Sequence, residues 1–256
     1  MMALAGSLVG GEAFLATFLI FCRVGACLLI VPGLSSPRVP AQVRLLVAGG
    51  VSLAVTPLLL PLFQTKVTGH APTETLAWIA SETFTGLMIG FLGRIFVFVL
   101  ETVLNAASTM VGFGSMPGTP VEGTEAVPAV ESFIVFSAVA LMFAADLHWE
   151  LFRGLVDSYS RIPPGEGLGT QTALVRITDQ IGEAFTLSLR IVAPFVIYAV
   201  AVNLAAGFVN KLTPTIPVYF VATPFIMFGA LILLYSVADE LVTQFLAGYA
   251  AWLRRG

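Results

Sequence analysis

The stretch from Leu76 to Val111 meets no proline, and Glu82, Arg94 and Glu101 are its only charged residues. As one helix, rising about 1.5 Å per residue, it would extend on the order of 54 Å. The hydrocarbon of a bilayer is only roughly 30 Å thick, a span of about 20 apolar residues. Two later stretches, Leu174–Val209 and Val218–Trp252, are similarly long. Tilt seldom absorbs so large an excess. Helices of this kind either break or run well past the bilayer.

Breaks at proline, glycine and charge divide the chain into about six apolar stretches. The first runs from Ala13 to Val31 and stops at Pro32-Gly33. A connector, Leu34 to Pro40, leads to the second, Val43 to Phe63. A polar loop with Lys66, His70, Pro72 and Glu74 follows, and Thr73 is placed to cap the next helix. The third stretch is the one from Leu76, and the fourth covers Val127 to Leu147. Trp149 to Glu166 reads as a polar break ending at Pro163-Pro164-Gly165. The fifth stretch contains Pro194, and the connector Asn210 to Pro217 leads to the sixth. The expected fold is all-α: one domain over residues 1–256, built as a polytopic membrane protein from helical hairpins with over-long helices that proline and glycine interrupt. Its polar breaks fall near 32–41, 64–75, 112–127, 149–173 and 210–217.

Composition supports a membrane setting. Hydrophobic residues make up 57% of the chain and charged residues 11%, whereas a soluble domain is about 25% charged. A net charge of −3 with scattered Lys and Arg leaves no basic patch to neutralise phosphates, which excludes nucleic acid as a partner. Cys22 and Cys27 lie on one helical stretch, about 140° apart around its axis, so they cannot bridge each other. They read as two small buried hydrophobes. Met1 to Gly11 lacks the basic start of a cleavable leader and Arg23 interrupts the apolar run, so the first segment is expected to be retained. With alternating spans, Lys66, Arg153, Arg161, Arg176, Arg254 and Arg255 collect on one side, and Arg38, Arg44 and Lys211 on the other. That bias places both termini in the cytoplasm.

The third stretch carries a polar stripe. At helical spacing, Glu82, Gly86, Gly90, Gly93, Arg94, Glu101, Asn105 and Ser108 fall within an arc of about 140°. Phe84, Met88, Phe91, Ile95, Phe96 and Val99 lie outside it. Two readings stand side by side. Gly86-x-x-x-Gly90 lets another helix approach closely while acids and bases neutralise one another; or the stripe faces a channel or a neighbouring subunit, since charge at membrane depth avoids lipid. A second stripe, Arg176, Asp179, Gln180, Glu183, Thr186 and Arg190, reads as a solvated face just outside the bilayer. Arg23, Arg190, Asn203, Asn210, Lys211, Asp239 and Glu240 sit in or beside apolar stretches. Each would be costly alone in hydrocarbon, so these are expected to be buried polar groups or to meet other subunits.

No catalytic constellation is present. Neither H-E-x-x-H nor G-x-S-x-G nor a phosphate-binding loop occurs. Gly112-Phe113-Gly114 begins like a dinucleotide fingerprint, but no strand–helix–strand unit surrounds it. Asp146, His148 and Glu150 alternate like ligands, yet on a helix they would point apart; His148 reads as an interfacial residue beside Trp149. No enzyme activity, cofactor or metal is expected.

Several blocks, taken in order, resemble the FliR family of flagellar export-gate proteins, whose injectisome relatives are the SctT proteins. They are Arg23-Val24-Gly25, Val31-Pro32-Gly33, Pro37-Arg38-Val39-Pro40 with Arg44, Gly112-Phe113-Gly114, Asp146 to Glu150, Arg161 to Gly165, and Asn210 to Phe220 with Pro224. The chain departs from the family pattern at Thr215, where an amide side chain is usual, and at Ser115 to Pro120, where an Asp-Pro pair is common. The resemblance implies a non-enzymatic subunit of a type III export pore in the bacterial inner membrane at the flagellar basal body. Implied partners are FliP, FliQ and FlhB-type gate subunits, the FlhA-type export protein, unfolded flagellar substrates in transit, and membrane lipid. It also implies that one such subunit closes a helical assembly standing largely out of the membrane plane. The Arg161–Gly165 block leans towards flagellar rather than injectisome service. A small-solute transporter, with substrate or proton held by the stripe, is the alternative of a different class.

Gly112 to Pro128 is rich in glycine and proline and cannot be regular throughout. Irregular backbone at membrane depth is tolerated only inside protein or beside a water-filled cavity. One reading is an exposed loop with Glu122 and Glu125 in water. The other, supported by the resemblance, is a pore plug made of Gly112, Phe113, Gly114, Ser115, Met116, Pro117 and Gly118, with Phe113 and Met116 as deformable apolar stoppers.

Overall fold

In a computed structural model, residues 11–67, 72–115, 117–118, 126–167, 169–215 and 217–255 are described. The element order is α1 (Gly11–Ile30), α2 (Ala41–Val67), α3 (Pro72–Met110), a 3-10 turn (Phe113–Ser115), β1 (Pro117–Gly118), β2 (Val127–Pro128), α4 (Ala129–Ala144), α5 (Leu147–Arg161), α6 (Thr170–Leu212) and α7 (Val218–Arg255). The architecture is all-α; β1 and β2 form a minimal antiparallel clasp, Pro117 opposite Pro128 and Gly118 opposite Val127.

The long helices do not break. α3 has 39 residues, α6 has 43 and α7 has 38. Pro194 and Pro224 lie inside α6 and α7, as Pro57 and Pro61 lie inside α2. A proline frees a carbonyl one turn back, which hydroxyls and neighbouring helices can re-satisfy at membrane depth. Among the described residues, five helices are long and apolar enough to cross a membrane, or six if α4 and α5 count together as one span. The chain is a membrane protein.

Two expectations change. Thr73 lies inside α3 rather than capping it, because Pro72 opens the helix; proline suits a first helical position, where its missing N–H costs nothing. The expected polar break from Trp149 to Glu166 contains α5. Leu147, Leu151, Leu155 and Tyr159 recur every four residues and are all buried, so a surface helix forms despite the charges between them. Asp146, in the left-handed region at φ 57°, turns the chain from α4 into α5.

The chain groups into two compact units. The first comprises residues 1–94, 146–179 and 253–256. Its core includes Ala16, Leu19, Ile20 and Cys27 of α1, Ala48, Leu59 and Phe63 of α2, and Leu151, Leu155 and Tyr159 of α5. Cys22 and Cys27 are both free thiols. The second unit comprises residues 95–145 and 180–252. Phe96 of α3 packs on Tyr249 and Trp252 of α7, with ring centroids 5.8 and 5.7 Å apart.

Candidate functional site

Within the first unit, Arg23 is the only charged residue between Ala13 and Ile30, and both it and Glu82 are 0% exposed. A lone buried guanidinium would be prohibitively costly, so the surroundings must neutralise it. Arg23 Nε donates to Glu82 Oε2 at 2.6 Å and its Nη2 to Glu82 Oε1 at 3.0 Å, a two-point grip on the carboxylate. Nη1 donates to Ser158 Oγ at 3.0 Å and Nη2 also to the Ile162 carbonyl at 3.1 Å. The guanidinium carbon stands 3.8 Å from the centre of the Tyr159 ring, a cation–π geometry. Glu82 Oε1 accepts a further bond from the Gly165 N–H at 3.2 Å, and Ser81 Oγ one from Gly167 N–H at 2.9 Å. One ionic node therefore fastens α1, α3, the end of α5 and the Pro163–Gly167 turn. That turn needs its glycine: Gly165 has φ 82°, and a side chain there would strike Trp78.

Two glycines make the node reachable. A methyl group on Gly86 would collide with the Arg23 backbone carbonyl, and one on Gly90 would lie 2.6 Å from the Cys27 carbonyl oxygen. Glu82, Gly86 and Gly90 follow at intervals of four, so one edge of α3 lies backbone-to-backbone on α1. This corrects the subunit- or channel-facing reading for these three residues: they turn inward, onto α1 of the same chain. The base that meets Glu82 is Arg23 and not Arg94. Arg94 and Glu101 are half-buried and neither lacks a partner.

Further along the stripe, in the second unit, Asn105 Nδ2 donates to Glu131 Oε2 at 2.8 Å. Asn203 Nδ2 donates to the carbonyls of Met110 and Ala199 at 2.9 and 2.8 Å, so its N–H groups are satisfied inside the chain. Gly112 turns at φ 91° with Thr223 and Met227 against it. Phe113, 4% exposed, packs in a core with Val111, Ala199 and Ala230, flanked by Tyr198, Ile226 and Met227. Its ring is thus an anchor in the chain's own core, which corrects its expected role as a lumen stopper: it follows a left-handed glycine that turns it inward. Gly114 and Ser115 complete the 3-10 turn, and Pro117 and Gly118 enter the clasp. Met116 lies outside the described residues, as do Glu122 and Glu125.

Arg190, Asn210, Lys211, Asp239 and Glu240 are exposed on α6 and α7. Trp78, Ser81, Ser158, Tyr159 and Glu131 were not legible as site residues. The four-residue recurrence ending at Tyr159 was the available signal for α5, and nothing local marks the rest.

Comparison with known proteins gives the family. Residues 14–251 match the family described as bacterial export proteins, family 1. The flagellar biosynthetic protein FliR of Caulobacter vibrioides is 30% identical over 212 residues, covering 80% of this chain and 81% of that protein. FliR of Aquifex aeolicus is 25% identical, covering 92% and 91%, and FliR of Escherichia coli is 22% identical, covering 79% and 76%. The chain belongs to family 1 of the bacterial export proteins, the FliR family.

Proposed function

We propose that this chain is a non-enzymatic subunit of the flagellar type III export gate. It acts in the bacterial inner membrane at the basal body, as one gate domain, with FliP-, FliQ- and FlhB-type subunits and the FlhA-type export protein as partners. Its work is to help form and close the path that unfolded flagellar proteins take. Family membership over residues 14–251 is the observation that carries this reading. Large apolar side chains left exposed along α6 and α7, among them Leu212, Phe220 and Tyr235, suit a subunit completed by neighbours and lipid. Deleting the gene should abolish secretion of flagellar proteins and swimming, and the parent chain in trans should restore both. A deletion strain that secretes flagellar proteins at the parent level would overturn the reading, as would a monodisperse, solute-moving form without partners.

Closure is assigned to the segment after α3. Phe113 anchors it, the 117–118/127–128 clasp narrows it, and the residues around Met116 complete the barrier. Deleting Ser115 to Thr119 should raise ion leakage through assembled gates while leaving complex formation intact. Unchanged conductance, with assembly verified, would remove the plug assignment.

A further inference from the structure

The segment assigned to closure leaves α3 after Met110 and enters α4 at Ala129. Within the second unit, one side-chain bond ties its two stems together. Glu131, in the first turn of α4, is 4% exposed. Asn105, near the end of α3, donates to its Oε2 at 2.8 Å, and no Lys or Arg pairs with that carboxyl among the described residues. An acid in a first helical turn is favoured by the helix dipole alone. A buried one also needs a hydrogen-bond partner, and here the partner comes from the opposite stem, 26 positions away.

The first turn of α4 carries the clasp. Pro128 of β2 is followed directly by Ala129 of α4 and has no side chain to cap the helix. β1 is pressed against the same turn: a methyl group at Gly118 would lie 2.7 Å from the Ala129 Cα and 2.7 Å from the Ser132 Oγ. Both strands therefore move with this turn. The other stem is fixed from α6, since Asn203 donates to the Met110 carbonyl, one of those that a helix end leaves without a partner. Phe113 adds its anchor in the core with Ala199 and Ala230. Asn105 thus stands on a held helix end, and its amide sets where Glu131 and the start of α4 come to rest.

Resting on the closure assigned above, we propose that Asn105 and Glu131 are its positioning pair: their bond holds the first turn of α4, and through it the β1–β2 clasp, in the closed arrangement. Neither residue forms the barrier. They act on it through the clasp.

The test reads ion leakage through gates assembled with the full chain, with the amount of complex measured beside it. Asn105→Leu and Glu131→Leu each remove the bond and should raise leakage about tenfold, the factor that roughly 1.4 kcal/mol of lost preference for the closed clasp gives. The exchanged pair, Asn105→Asp with Glu131→Gln, again sets an amide donor opposite a carboxyl acceptor and should be as tight as the parent. A fault of folding would instead lower the amount of complex. Tight single variants, a leaking exchanged pair, or loss of complex in place of leakage would overturn the inference. The Ser115 to Thr119 deletion keeps the two readings apart. If it leaks while Asn105→Leu and Glu131→Leu stay tight, the positioning pair falls and closure by this segment stands; if it stays tight, closure by this segment falls and the pair with it.

Discussion

Glu82→Ala is expected to destabilise the chain by about 3–5 kcal/mol, the cost of leaving a buried partner charge uncompensated. Arg23 has nowhere to move: it is 0% exposed, and Ser158, Ile162 and Tyr159 already hold it. Arg23→Ala should cost a similar amount for the mirror reason. Replacing both, as Arg23→Met with Glu82→Leu, should recover most of the loss, since an apolar pair of similar volume avoids desolvating two ions. Recovery should be incomplete. The Gly165 N–H and the Ile162 carbonyl would lose their present partners, and a buried unpaired polar group costs about 1–3 kcal/mol. Yield and thermal unfolding of purified complex measure this series. If both single variants were as stable as the parent, the node would hold nothing together.

Gly86→Leu and Gly90→Leu should prevent accumulation of folded chain by a steric route. The obstacle at both sites is α1 backbone, which cannot rotate aside as a side chain can. Even Gly86→Ala should be severe, whereas Gly49→Ala and Gly50→Ala, with open space around them, should be neutral or slightly stabilising. The contrast separates close approach from helix propensity, because alanine favours helix at all these positions. Separating α3 from α1 would also pull Glu82 from Arg23, so Gly90→Leu should lower stability about as much as Glu82→Ala. Normal folding and export by Gly90→Leu would refute the packing account of this edge.

Much of this molecule is written locally. Ile30 to Ala41, Leu212 to Val218 and the segment after Met110 are breaks because proline and glycine there forbid a continued helix. The apolar lengths between them announce membrane helices, and the ordered family blocks announce the family. α5 was also within reach, but its charges outweighed its four-residue apolar recurrence. What could not be read is which polar residue meets which. Arg23 and Glu82 are 59 positions apart, and Arg23 and Ser158 are 135 apart. Nothing in an apolar helix states its rotation against a distant neighbour. Gly86 and Gly90 showed that some helix comes close, while only packing decided that it is α1, and so placed Glu82, Gly86 and Gly90 in an internal seam. Phe113 repeats the lesson: a plug and an anchor have the same local sequence, and the Val111–Ala199–Ala230 core decides between them. Local chemistry determines where helices start and stop, because each residue carries its own backbone preferences. Rotation and pairing belong to the tertiary structure, because burying a charge is tolerable only where a partner from another helix arrives at bonding distance.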